Sequence, residues 1–208
     1  MRRTLALLAA LATVASCGGG QHARPATRRA AASHRSLLRG LVPQPLPLTP
    51  RFTLRDTSGR PFNFAAATRG KLAYLYFGYT HCPDACPTTM AEIAYAYHRQ
   101  PLALRRRILV VFVTVDPHRD TRPVLRAWLN HFDKAFVGLR GDERQTQAAE
   151  RSAGVPLAPP EKTGRGNYTV AHSSFVFPFS PDGHAHVVYA QGFRPADYAH
   201  DMPLLLRY

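Results

Sequence analysis

The chain has 208 residues, 45% of them hydrophobic and 19% charged, enough for one domain with a real core and too few for a comfortable pair. Its formal charge of +14 does not mark a nucleic-acid binder, because residues 1–50 hold Arg2, Arg3, Arg24, Arg28, Arg29, Arg35 and Arg39 and no acid, seven of the fourteen charges. No basic-aromatic recognition motif is present. A basic tether near an anionic bilayer accounts for the charge, and a plain solvated linker does so nearly as well.

Residues 1–17 read as an export signal. Arg2 and Arg3 form a short basic start, and residues 5–14 form an apolar run too short to span a membrane as a mature helix. The ending Val14-Ala15-Ser16-Cys17 resembles the lipobox of bacterial lipoproteins, in which the cysteine is lipidated after cleavage. An ordinary signal peptide with an incidental cysteine is the alternative. Lipidation of Cys17 would place an exported domain, lipid-anchored, on the extracytoplasmic face of a bacterial cell membrane. It would also leave Cys82 and Cys86 as an isolated pair in an oxidising compartment. Residues 18–50 read as a flexible linker, with Gly18-Gly19-Gly20 after the anchor and Pro43, Pro45, Pro47 and Pro50 before a domain at 51–208.

Within that domain, residues 52–56 and 61–64 read as an N-terminal hairpin with Gly59 in the turn. Leu72-Ala73-Tyr74-Leu75-Tyr76-Phe77 reads as a buried strand, its aromatics serving the core. A helix follows, opened by Pro87, Thr88 and Thr89 and carrying Met90, Ile93, Ala94 and Tyr97; Arg105 to Arg107 suit its C-terminal end. Residues 108–115 form an unbroken β-branched run, as expected of a parallel strand buried on both faces. A helix at 121–132, a strand at 135–139 and a helix at 142–153 come next, then a loop over 154–167. Residues 168–179 and 184–190 read as a closing hairpin around Ser180-Pro181-Asp182-Gly183, with a final helix at 195–206. The alternation argues an α/β fold with helices on both faces of a sheet. The cysteines then fall at the carboxyl end of a central strand, where open α/β sheets place their sites.

Cys82 and Cys86 are four apart, the spacing that brings side chains to one face of a helical turn. A helix N-terminus lowers a cysteine's pKa and favours the thiolate. Two soft thiolates suit a thiophilic ion such as Cu(I), and an imidazole would close a trigonal site. A structural disulfide is the bland alternative for the pair.

Gly78-Tyr79-Thr80-His81-Cys82-Pro83-Asp84-Ala85-Cys86-Pro87-Thr88 resembles the signature of the SCO/SenC family. Asp116-Pro117-His118-Arg119-Asp120-Thr121 and Val170-Ala171-His172-Ser173 resemble two further family stretches. The resemblance runs from about residue 52 to residue 193. It implies a thioredoxin-like α/β fold, a central mixed sheet flanked by helices. It also implies a membrane-tethered metallochaperone that delivers copper, as Cu(I) or Cu(II), to the binuclear copper centre of cytochrome c oxidase. Carried over, Cys82 and Cys86 are the thiolate ligands and His172 the imidazole ligand. The partners implied are the oxidase's copper-binding subunit, the membrane and another copper chaperone as donor. The chain departs from the family at Ala171, where an acidic residue usually precedes the histidine and can tune it.

Other residues have weaker readings. Asp116 and Asp120 could orient the site or steer a partner, although a strand-end turn and a helix N-cap at Asp120 also explain them. His81 abuts Cys82 but could simply be exposed, and His184 and His186 alternate on what reads as a solvated hairpin edge. An exposed metal site would suit handover by ligand exchange. A second function is a thiol-disulfide reductase that maintains the oxidase's copper-site cysteines, using Cys82 and Cys86 as the redox pair. A third, peroxide reduction, needs an activated cysteine beside an arginine such as Arg119 or Arg122.

Overall fold

A computed structural model describes residues 37–157, 160–164, 167–170 and 173–208, the side chains of 160–164 and 167 excepted. Two apolar runs organise it. Strand β3 (Leu72–Gly78) is buried at all seven positions, and β4 (Ile108–Thr114) pairs with it in parallel from Leu72↔Ile108 to Gly78↔Thr114. Neither run alternates, because both faces of this central pair are covered. β5 (Val137–Arg140) extends the sheet in parallel from β4. The hairpin of β1 (Thr53–Asp56) and β2 (Pro61–Asn63) joins antiparallel to β5, its turn relying on Gly59 at φ 87°. On the other side β8 (Val176–Phe179) runs antiparallel to β3, giving the order β2-β1-β5-β4-β3-β8.

Among the described residues six helices flank this mixed sheet: α1 (Phe64–Thr68), α2 (Ala85–His98), α3 (Leu102–Arg105), α4 (Arg122–Leu129), α5 (Glu143–Ser152) and α6 (Pro195–Leu205). α2 and α6 pack against each other, and Tyr198 of α6 closes an aromatic cluster with Tyr74 and Tyr189. Trp128 of α4 packs at a tilt against Phe112 of β4, their ring centroids 4.8 Å apart. Residues 39–49 lie along the molecule ahead of β1. The Arg39 and Gly40 amides donate to the buried Asp201 carboxylate, Leu41 bridges Val188, and Leu48 bridges His184. No helix among the described residues is long and apolar enough to cross a membrane.

The fold is the thioredoxin-like α/β arrangement expected from the sequence, with five local differences. The helix after the cysteines starts at Ala85 rather than at Pro87. It also stops at His98, because Pro101 interrupts the pattern, so Arg105 to Arg107 belong to α3 and the turn after it. Thr121, not Asp120, caps α4, its side chain accepting from the Val124 amide. The stretch expected as a loop over 154–167 contains β6 (Pro160–Gly164), paired antiparallel with β7 (Asn167–Val170). The single strand expected over 168–179 is therefore two: β7 serves this small hairpin and β8 serves the main sheet. The closing hairpin does form around Gly183, at φ 83°, through the Phe179↔Ala185 and Val176↔Tyr189 bridges.

Candidate metal centre

β3 delivers its chain end, Gly78, to the base of the cysteine loop. A side chain there would collide: a Cβ on Gly78 would lie 2.7 Å from Cys86 Sγ and 2.9 Å from Phe112 Cε2. Only glycine lets the sulfur rest on the strand end. Cys82 lies in the loop before α2 and Cys86 in the helix's first turn, so the pair spans a loop-to-helix junction rather than a helical face. The two still converge, with the Cys86 amide donating to Cys82 Sγ at 3.3 Å. No disulfide joins them.

Both thiols are buried, Cys82 at 8% and Cys86 at 0% exposure, which corrects the expectation of an exposed site. Burial also decides the electrostatics. It pushes the Cys86 thiol well above its ordinary range, and the neighbouring Cys82 sulfur adds to this. The Tyr79 amide and the Tyr76 hydroxyl pull the other way and do not win. The helix N-terminus therefore does not leave Cys86 a ready thiolate in the metal-free protein. Tyr76, fully buried in β3, donates its hydroxyl to Cys86 Sγ at 3.6 Å and accepts from Thr89. Periodicity assigned Tyr76 to the core, which is where it sits; its polar end faces the sulfur.

Two polar networks hold the loop. Asp120, fully buried, accepts from the Thr80 amide at 2.9 Å, the Thr80 hydroxyl at 2.6 Å and the Thr114 hydroxyl at 2.6 Å. His81, half exposed, borders this network, its Nδ1 3.1 Å from Thr80 Oγ1 and 3.6 Å from Asp120 Oδ1. Asp116, also buried, pairs with the Arg119 guanidinium and accepts from the Tyr168 hydroxyl at 2.8 Å. Arg119 in turn donates to the Tyr168 carbonyl at 3.0 Å, stacks on the Tyr168 ring at 3.7 Å and lies 5.6 Å from the Tyr79 ring centroid. The Val170 amide completes the contact by hydrogen-bonding the Tyr79 phenol oxygen.

The structure thus brings Cys82, Cys86, Asp116 and Asp120 to one end of the sheet. His172, its neighbour Ala171 and the lipidation candidate Cys17 lie outside the described residues. Among the described residues no three His, Cys, Asp or Glu side chains form a metal-sized cluster. Arg119, named for a peroxide pocket, has Nε paired with Asp116 and Nη1 bonded to the Tyr168 carbonyl, while its buried Nη2 has no partner among the described residues. His184 and His186 are not both on a solvated edge: His186 is buried against Tyr208 and bonded to Asp182 at 2.8 Å. Sequence reasoning missed the site roles of Tyr76, Tyr79 and Tyr168. Each is aromatic, and its hydroxyl contact carries no periodic signal.

The family model for SCO1/SenC matches residues 42–207. A SCO2-like protein of Rickettsia felis is 38% identical over 136 residues, 64% of this chain and 64% of that one. The mitochondrial protein SCO2 of Saccharomyces cerevisiae is 33% identical over 133 residues, 64% of this chain and 44% of that one. The chain therefore spans less than two thirds of the length of these relatives. The solved structure of Bradyrhizobium japonicum ScoI with copper bound superposes with a TM-score of 0.67 at 30% identity, covering 76% of this chain and 99% of that one. By the extent of the family match and the fold it shares with these proteins, this chain belongs to the SCO1/SenC family.

Proposed function

We propose that this chain is a copper metallochaperone. It binds Cu(I) through Cys82, Cys86 and His172 and passes it by ligand exchange to the copper-binding subunit of cytochrome c oxidase, for the binuclear centre. Lipidated Cys17 tethers it to the extracytoplasmic face of the membrane. The observation that carries this reading is the cysteine pair, two soft donors brought together at a glycine-cleared strand end, with the Cys86 amide 3.3 Å from Cys82 Sγ. Binding must displace the Cys86 proton that burial holds in place, so the metal and not the apo-site generates the thiolate. Because both sulfurs are buried, release requires the loop from Thr80 to Asp84 to open for an incoming ligand. The test is an anaerobic Cu(I) titration of the reduced full chain against a competing chelator, beside His172→Ala. One tight equivalent that His172→Ala weakens sharply supports the three-ligand site. Unchanged affinity in the variant removes His172 from it, and no tight binding in the parent rejects the copper reading.

The placing of the Cys86 amide 3.3 Å from Cys82 Sγ, which brings the two cysteines together, also favours a second reading, thiol-disulfide reduction. Here Cys82, the less buried sulfur, attacks a partner disulfide and releases one partner thiolate. Cys86 then displaces the second, leaving the Cys82–Cys86 pair oxidised and the partner reduced by two electrons. This activity would survive loss of His172, and chaperoning would not.

A further inference from the structure

We infer that the end of the sheet opposite the cysteines is a docking surface for an anionic lipid bilayer, holding the cysteine loop away from the membrane. The inference rests on the reading that the chain works at a membrane, not on Cys17 as the anchor or on the copper ligands.

β3, β4 and β5 run parallel, so the residues ahead of them share one end of the molecule and the cysteine loop occupies the other. Lys71 and Arg107 stand side by side at the first end, where the Leu72 amide donates to the Arg107 carbonyl at 3.0 Å. The end of α6 joins them. Arg107 Nη2 donates to the Leu206 carbonyl at 3.3 Å, which brings Arg207 to the same surface. Arg69 follows α1, and Arg99 and Arg106 flank α3. These six residues are exposed, and none forms an ion pair among the described residues.

No acid offsets them locally, because residues 64–71, 99–108 and 202–208 contain none. In the neighbouring turns Asp133 is bonded to His98 at 3.3 Å and Asp182 to His186 at 2.8 Å. The cysteine end is mixed by contrast: Asp84, Asp116, Asp120, Asp142 and Glu143 offset its arginines.

Charge alone would suit any anion, and two exposed side chains favour a bilayer. Leu102 of α3 is 56% exposed between Arg99 and Arg106. Tyr95 is 52% exposed one turn before Arg99, whose guanidinium lies 5.6 Å from the ring centroid. An apolar side chain and an amphipathic ring among arginines suit the headgroup boundary, where long cations reach phosphates while their stems bury. A basic side chain at an anionic surface is worth about fivefold in affinity. β3 measures about 20 Å, so a bilayer beneath Lys71 leaves the cysteine loop about that far from the headgroups when the strand stands on the surface.

The test uses the full chain with Cys17→Ser, so that no acyl chain contributes. The vesicles are pure phosphatidylcholine, or phosphatidylcholine mixed with anionic phosphatidylglycerol. Arg106→Gln with Arg207→Gln should weaken binding to the anionic vesicles by about twenty-fivefold, fivefold for each charge. Arg122→Gln with Arg144→Gln removes the same charge from exposed residues at the cysteine end and should cost less than about twofold. Both pairs leave residues 1–36 intact, so any binding through them is common to every sample. Arg69→Gln with Lys71→Gln serves where the first pair is poorly folded. Hydrogen exchange on the anionic vesicles should slow in residues 99–107 and stay unchanged in 79–84. Equal losses in the two arginine pairs, equal parent binding to both kinds of vesicle, or slowing at 79–84 in place of 99–107 overturns the inference. Acylation of Cys17 in the parent is read separately by its mass; an unmodified Cys17 rejects the lipid anchor and leaves the docking surface standing.

Discussion

Asp120 accepts hydrogen bonds from both the amide and the hydroxyl of Thr80, forty residues away in sequence, at 2.9 and 2.6 Å. The start of the cysteine loop is thus bolted to the turn after β4, and Thr114 at the end of that strand donates to the same carboxylate. Replacing Asp120 by alanine removes the acceptor of three donors, one of them the hydroxyl of the fully buried Thr114. The expected cost is about 3 kcal/mol, from bonds to a charged acceptor and the desolvation of their orphaned partners. Urea denaturation measures it. A loss under about 1 kcal/mol would mean that water or a neighbour replaces the carboxylate.

Gly78→Ala tests the clearance at the strand end. The added methyl meets Cys86 Sγ and the Phe112 ring inside contact distance, and neither is the tip of a long flexible chain. Overpacking of this kind costs about 1–3 kcal/mol. Because the sulfur must shift, Cu(I) affinity should fall along with stability. Affinity unchanged in a destabilised Gly78→Ala would show that the sulfur does not need its place on the strand.

Tyr76→Phe keeps the core volume and removes only the hydroxyl that contacts Cys86. Stability should drop by about 1 kcal/mol, the net worth of a buried hydrogen bond. Cu(I) affinity should fall by severalfold, because a donor to a ligating sulfur helps hold it in place. An affinity equal to the parent's would reduce Tyr76 to a packing residue.

Asp182 supplies a pH-dependent prediction remote from the cysteines. Burial pushes its carboxyl upward, but the bonds from His186 and from the His184 amide outweigh this and hold it below the ordinary 3.8. A carboxyl depressed in the folded state stabilises it above the unfolded pKa and loses that contribution as pH falls through the folded value. Asp182→Asn should therefore destabilise the protein at neutral pH, with the difference from the parent shrinking below 3.8. A difference constant from pH 7 to pH 3 would assign the effect to packing.

The parts of the fold that were legible came from runs whose chemistry is local. Unbroken apolar stretches gave β3 and β4, Gly59 and Gly183 gave their hairpin turns, and the Cys82–Cys86 spacing marked the site. What stayed hidden depends on partners distant in sequence. Residues 168–179 read as one strand, and only the competing partners β6 and β3 divide them. Asp120 and Thr121 are both good capping residues; the half-buried Thr80 and buried Thr114 donors claim the first and leave the cap to the second. The direction of the Cys86 shift was misjudged for a similar reason. A helix N-terminus is visible in sequence, whereas complete burial of the sulfur is a property of the assembled core.

Copper-edge X-ray absorption on the Cu(I)-loaded full chain tests the central claim most directly. The account predicts a first shell of two sulfurs and one nitrogen, with the nitrogen lost in His172→Ala and copper no longer held tightly in Cys82→Ser with Cys86→Ser. A shell of nitrogen and oxygen alone, or tight copper retained after both cysteines are replaced, would contradict it.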